Sequence, residues 1–241
     1  MLPAVCTTAL VTLLVLSAPV SHCNGEKLMK LAISWPTSLC NTGTKCKNSP
    51  PNRFSVHGLW PLFKGTCGDN NVDWNTFPEA TKTRMGTDWG SYSTKTNQQF
   101  WDHEWSSHGK CSGLSPSDFF QQGLNLFDKV NLGARLTALG KFPHGQTVTK
   151  KDDFPGTISS LANKKLVILL CNKDKAGSVV QLYEIDICFD YDSANKDYAD
   201  CPKPSPSLKS LCPESFRLTK GASIAAAIES AVPLLLPSQA E

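Results

Sequence analysis

The sequence predicts a single α+β domain stapled by disulfides. Three observations carry this reading. Strand-like apolar runs lie toward both ends of the chain, with helical segments between them; there is neither an internal repeat nor a linker within the 241 residues; and the cysteines form an even set once an N-terminal leader is set aside.

The leader is residues 1–23. Ala9 to Leu16 is apolar except for Thr12, a length that suits a secretory signal and is too short to cross a bilayer. Cleavage is expected after Cys23, with Ser21 two residues before it, although no Lys or Arg precedes the apolar run. Of the 10 cysteines, cleavage removes Cys6 and Cys23 and leaves Cys40, Cys46, Cys67, Cys111, Cys171, Cys188, Cys201 and Cys212. An even number in an exported chain argues for disulfides. Spacing alone leaves about 105 pairings open. No Cys-x-x-Cys pair is present, which argues against a zinc ribbon. The leader carries no charge, so the mature chain keeps a net charge of +3, compatible with a polyanionic substrate but too small to indicate one. No Asn-x-Ser/Thr acceptor for glycosylation occurs.

Lys27 to Trp35 predicts the first strand, ended by Pro36, and a loop with Cys40 and Cys46 is expected after it. Phe54 to Leu59 predicts the second strand. The Gly, Asn, Asp and Pro content of residues 61–93 predicts mostly loop, with one helical turn near Phe77 to Lys82. A helix is expected from Thr94 or Thr96 through the stretch Phe100 to Cys111. Ser115-Pro116-Ser117-Asp118 caps a further helix to Val130, with Phe119, Leu124, Leu126 and Phe127 on its apolar side. Shorter helices follow at Leu132 to Leu139, ended by Gly140, and at Pro155 to Ala162. Leu166 to Cys171 predicts a buried strand and Val179 to Phe189 another, joined by a turn at Gly177. The domain is expected over residues 24–216. Residues 217–241 are expected to be a poorly ordered tail, because the apolar stretch Ala222 to Leu236 is broken by Glu229 and Pro233.

Chemistry concentrates in two places. Phe100 to Cys111 reads Phe-Trp-Asp-His-Glu-Trp-Ser-Ser-His-Gly-Lys-Cys, and Phe54 to Pro61 reads Phe-Ser-Val-His-Gly-Leu-Trp-Pro. In an α-helix at about 100° per residue, with His103 at zero, Ser107 falls at about 40°, Glu104 at about 100° and His108 at about 140°. One broad helix side therefore presents acid, base and anion-facing groups, while Trp101 and Trp105 turn toward a core. A lone histidine is most simply a hydrogen-bonded structural residue. Three of them beside a carboxylate make a site. His144, between Pro143 and Gly145, reads as a loop residue without a role. The pattern His-Glu-x-x-x-His is one residue longer than the zincin motif, and ring nitrogens about 140° apart do not easily share one ion. No Gly-x-Ser-x-Gly elbow is present. The remaining chemistry is metal-free acid–base catalysis by paired histidines, suited to RNA cleavage through the 2′-hydroxyl.

At these residues the chain resembles the T2 family of secreted ribonucleases over roughly residues 27–216, with Ile33-Ser34-Trp35-Pro36 and the final cysteine cluster in agreement. It is most similar to the plant branch, which includes the S-ribonucleases of self-incompatibility. The resemblance implies an antiparallel sheet flanked by helices and no cofactor or metal. It implies His57 as general acid, His108 as general base, His103 as phosphate-binding residue, Glu104 as transition-state stabiliser and Trp60 as a base-binding surface. It also implies the disulfides Cys40–Cys46, Cys67–Cys111, Cys171–Cys212 and Cys188–Cys201. A secreted, or vacuolar, monomer acting on single-stranded RNA is expected, recognised by pollen F-box proteins if it is an S-ribonuclease. An S-like ribonuclease for phosphate salvage or defence is the alternative role.

Two positions depart from the family pattern. Ser107 stands where a lysine is usual, and Leu62 where relatives often carry Asp, so base preference does not transfer. Lys110 is the candidate replacement cation: seven residues past His103 it returns to about −20° if the helix continues. Ser107 also supports a third reading, a catalytically weak binding or storage protein.

Overall fold

The computed structural model describes residues 26–47, 50–140, 147–149, 153–205 and 210–219. In chain order the elements are β1 (Leu28–Ser34), α1 (Pro36–Asn41), β2 (Ser55–Pro61), a 3₁₀ turn (Trp74–Thr76), α2 (Glu79–Asp88), α3 (Asn97–Glu104), a π turn (Trp105–Gly109), α4 (Pro116–Val130) and α5 (Leu132–Ala138). Then come β3 (Thr147–Thr149), α6 (Phe154–Leu161), β4 (Ile168–Lys173), β5 (Val180–Asp190), β6 (Tyr198–Ala199) and β7 (Ser215–Arg217). The strands form one sheet of order β2-β1-β5-β7-β3, with β4 and β6 also paired to β5. All pairs are antiparallel except the short β5–β7 contact.

The sheet has two unlike faces, because side chains alternate along a strand. On one face Leu31 and Ile33 meet Leu59, Val56, Ile185 and Ile187, and α4 covers this face with Phe119, Phe120, Leu124 and Leu126. Each such side chain contributes on the order of 1.5–3 kcal/mol by leaving water. On the other face Lys30, Ala32 and Ser34 of β1 stand opposite Cys188, Asp186 and Glu184 of β5. Two carboxylates at alternate positions of a central strand make that face polar, and it carries the site.

All four disulfides implied by the resemblance are formed. Several expectations are corrected. Residues 36–41 are helical, not loop: Pro36 sits at the first helical position, where its fixed φ suits a helix start. Residues 79–88 form ten residues of helix where one turn was expected. Only Thr81 and Met85 of α2 are buried, so its own pattern is weak. It is held from outside by Arg84, whose guanidinium bonds Asp128 of α4 at 2.8 and 2.9 Å, and by Thr81 bonding Gln121. The ordered chain also extends past residue 216. Leu218 is buried, and the Thr219 carbonyl accepts the Trp35 indole N–H at 2.8 Å. His144, the leader and residues 220–241 lie outside the described residues. Among the described residues no helix is long and apolar enough to cross a membrane.

Candidate active site

The site is built from a bulge and a π turn. β1 and β2 run in register from Met29↔Pro61 to Ala32↔Gly58, then skip to Ile33↔Val56, leaving His57 as the extra residue. Strict alternation would send His57 to the apolar face and Val56 to the polar one. The bulge reverses both: Val56 joins the core, and His57 reaches the polar face. The Trp89 indole N–H fixes the His57 carbonyl at 2.8 Å. The His57 Nδ1 hydrogen-bonds Oε2 of the buried Glu184 on β5, which leaves Nε2 for a substrate.

Gly58 and Trp60 complete the β2 contribution. The Trp60 indole N–H donates to Glu104 Oε2 at 3.1 Å. A Cβ on Gly58 would lie 2.2 Å from Trp60 Nε1 and 2.3 Å from Glu104 Oε2, so only glycine lets this bond pass over the strand. The Trp60 ring is edge-on to His57 at 5.2 Å and tilted against His108 at 5.0 Å. It therefore has a histidine at each of two sides.

α3 begins at a capping box. The Thr96 hydroxyl accepts from the Gln99 amide at 3.1 Å, and the Gln99 side chain accepts from the Thr96 amide at 2.8 Å. Trp101 and Trp105 turn to the core as expected, with indole N–H groups on the carbonyls of Trp89 and Asp69. After Glu104 the helix widens into the π turn, closed by the Lys110 amide on the Trp105 carbonyl at 2.9 Å. A π turn closes on the fifth residue, which brings His108 back toward His103. The separation of about 140° in an α-helix is thus not the observed geometry; among the described residues no group of three or more His, Cys, Asp or Glu side chains is placed to hold a metal ion.

The structure brings His57, His103, Glu104, His108 and Trp60 together. A cavity of ≈ 240 Å³ is lined by His57, His103, Glu104, Phe100, Tyr92 and Tyr183. Exposed His103 has Ser107 Oγ 3.4 Å from its Nδ1. Lys110 is not brought in. The helix does not continue as α past Gly109, and the Lys110 ammonium donates instead to Asn70 at 2.8 Å.

The two histidines beside Trp60 are tuned in opposite directions. Burial works against a charge on His57, but the hydrogen bond and charge of Glu184, with Glu104 and Asp186 behind, outweigh it and raise the His57 pKa above 6.5. Burial, helped by the charges of His103, His57 and Lys30, lowers that of His108 to about 4. Burial raises the Glu104 carboxyl, against the pull of His57 and Trp60. From about pH 4 to 6.5, one side of Trp60 therefore offers a protonated imidazole and the other a neutral one. Such a pair can donate one proton and accept another.

Sequence reasoning missed Glu184, Asp186 and Lys30. A signal was present: Glu184 and Asp186 alternate with Ile185, Ile187 and Phe189 in a buried strand, where unpaired acids are costly.

Comparison with known proteins agrees with this geometry. The model of the Ribonuclease T2 family matches residues 26–201. The chain is 34% identical over 185 residues to Intracellular ribonuclease LX of Solanum lycopersicum, covering 70% of this chain and 74% of that one. It is 31% identical over 215 residues to Ribonuclease S-7 of Nicotiana alata, covering 85% and 94%. The crystal structure of RNase NT in complex with 5′-AMP superposes with a TM-score of 0.68 at 25% identity, covering 81% of this chain and 98% of the other. With the family's two histidine motifs present and the four disulfides formed, this chain belongs to the Ribonuclease T2 family, as a ribonuclease of the plant S-ribonuclease type.

Proposed function

We propose that this protein is a secreted, metal-independent endoribonuclease that cleaves single-stranded RNA by transesterification to 2′,3′-cyclic phosphates. The observation that carries the reading is the Trp60 ring with His57, bonded to the buried Glu184, at one side and His108 at another, the two pKa values shifted in opposite directions. Neutral His108 takes the proton of the 2′-hydroxyl, and the oxygen attacks the adjacent phosphorus. Protonated His57 gives its proton to the departing 5′-oxygen, and the bond from phosphorus to that oxygen breaks. His103, exposed beside the cavity, binds the phosphate. Glu104 and the Trp60 N–H it holds face the developing charge and the base. DNA lacks the nucleophile and is spared.

Purified protein is expected to cut RNA in EDTA and to leave a 2′,3′-cyclic phosphate. His57→Ala and His108→Ala are each expected to lose activity by about 10²–10⁴-fold. Cleavage that stops on chelation, or 5′-phosphate products, overturns the mechanism.

For the biological role we favour an S-ribonuclease of gametophytic self-incompatibility, supported by the basic balance of +3 and the likeness to Ribonuclease S-7 over 94% of its length. Recognition by pollen F-box proteins would then fall on the segment from Leu62 to Tyr92. The likeness to a ribonuclease named intracellular keeps a salvage role and another compartment in play. Transcript confined to the style supports the first role. Transcript in leaf and root supports the second.

A further inference from the structure

Lys30 occupies a place that sheet packing does not explain. It stands on β1 directly opposite Trp60 in the ladder, on the polar face. Its ammonium lies 4.3 Å from the centroid of the Trp60 ring and donates to Asp186 Oδ2 at 2.8 Å. The Lys30 side chain is only 20% exposed and that of Asp186 5%. Half-closed ion pairs of this kind are weak contributors to stability, because desolvation cancels much of the attraction. The ring that Lys30 touches is the one seated against His108, and the carboxylate it holds belongs to the acidic group around His57.

We propose that Lys30 is a positioning residue for the reaction: it steadies the Trp60 ring beside His108 and supplies fixed positive charge behind the general base, while its partner Asp186 supplies negative charge behind the general acid. The inference rests on the ribonuclease reading above. His108 is faced by His103 from α3, His57 from β2 and Lys30 from β1. The Lys30 ammonium, held in place by its ion pair with Asp186, disfavours protonation of His108. His57 is faced by Glu184 and Asp186 from β5 and by Glu104 from α3. Above about pH 6, where the Asp186 carboxyl has lost its proton, one ion pair thereby biases base and acid in opposite senses. The contact with Trp60 adds a cation–π attraction, strongest where water is excluded.

The test uses the full disulfide-bonded protein, as Lys30→Met, Lys30→Arg and Asp186→Asn. The titration of His108 is followed by NMR of labelled histidine, and kcat/KM on a dinucleoside monophosphate is followed against pH. Lys30→Met is expected to raise the His108 midpoint and the acid limb of the profile together, by roughly half a unit. Lys30→Arg should restore both, and Asp186→Asn should move the alkaline limb to lower pH. A His108 midpoint unmoved in folded Lys30→Met overturns the inference and leaves the ribonuclease reading intact. A midpoint that moves while the acid limb stays overturns His108 as the base, and with it this purpose for Lys30. Should Lys30→Met fail to fold, Asp186→Asn decides: an unmoved alkaline limb overturns the pairing.

Discussion

His57 and Glu184 share a hydrogen bond although their strands are not neighbours: β1 runs between β2 and β5. The contact passes over Ala32 and Ser34, two small side chains on the polar face of β1. The bulge in β2 supplies the reach. A buried carboxylate is thus aimed at the ring nitrogen that faces away from the cleft.

Glu184→Gln tests that link. Glutamine keeps the shape and a hydrogen bond but removes the charge that holds a proton on His57. The His57 pKa falls, so the alkaline limb of kcat/KM moves to lower pH, and kcat at neutral pH drops on the order of tenfold or more. Because the folded pKa of His57 is raised, its contribution to stability is fully present below 6.5 and is lost as pH rises through the folded value. The variant should lose stability mainly on the acid side, read by urea denaturation at several pH values. An unchanged alkaline limb means that Glu184 does not charge His57.

Gly58→Ala tests the passage of the Trp60–Glu104 bond over β2. A Cβ would overlap both partners, so one of them must move. Overpacking of this kind costs typically 1–3 kcal/mol. The expected result is a folded protein with a lower Tm, altered tryptophan fluorescence and at least about tenfold lower kcat. Wild-type activity would show that Trp60 need not be held by Glu104.

Asp186→Asn should change how stability depends on acid. Burial, with the charge of Glu184 nearby, raises the Asp186 pKa from 3.8 to about 6, against the pull of Lys30. A raised carboxyl contributes most while protonated, and that contribution is lost as pH climbs from about 3.8 to about 6. Asparagine resembles the protonated form and has no such slope. The stability of the variant relative to the wild type should rise across this window and level off above it. Comparing the two proteins removes the opposite slope of His108, which is common to both. Denaturation midpoints that diverge in the other direction rule out a raised pKa.

Most strands and helices were legible because each carries a strong local signal. Apolar runs gave β1, β2 and β5, and cap residues gave the starts of α3 and α4. α2 was not legible, since its helix depends on Arg84 finding Asp128 44 residues away. The same division runs through the site. His103, Glu104 and His108 share one short segment, and their spacing pointed to acid–base work. Glu184 lies 127 residues from His57, and no local pattern ties them. The bulge and the π turn are single-residue departures from regular geometry, and each re-aims a histidine. The direction expected for Lys110 assumed an unbroken α-helix, and its ammonium instead meets Asn70.

The π turn is itself held from outside, and this gives the last prediction. The Gly65 and Gly68 amides donate to the carbonyls of Cys111 and Lys110 at 2.8 and 2.7 Å, and the Trp105 indole binds the Asp69 carbonyl at 2.8 Å. The disulfide Cys67–Cys111 locks this splint three residues beyond His108. With its cysteines 44 positions apart, loop-closure entropy suggests a contribution of about 4 kcal/mol. Cys40–Cys46, 6 positions apart at the end of α1 and not on the π turn, suggests about 2 kcal/mol and serves as a control. Cys67→Ala with Cys111→Ala should lower both Tm and kcat, the latter even well below the new Tm, because His108 loses its fixed approach to Trp60. Cys40→Ala with Cys46→Ala should lower Tm less and leave kcat unchanged. Equal kcat in the two double variants, measured where both are folded, would show that the splint stabilises the fold without positioning the base.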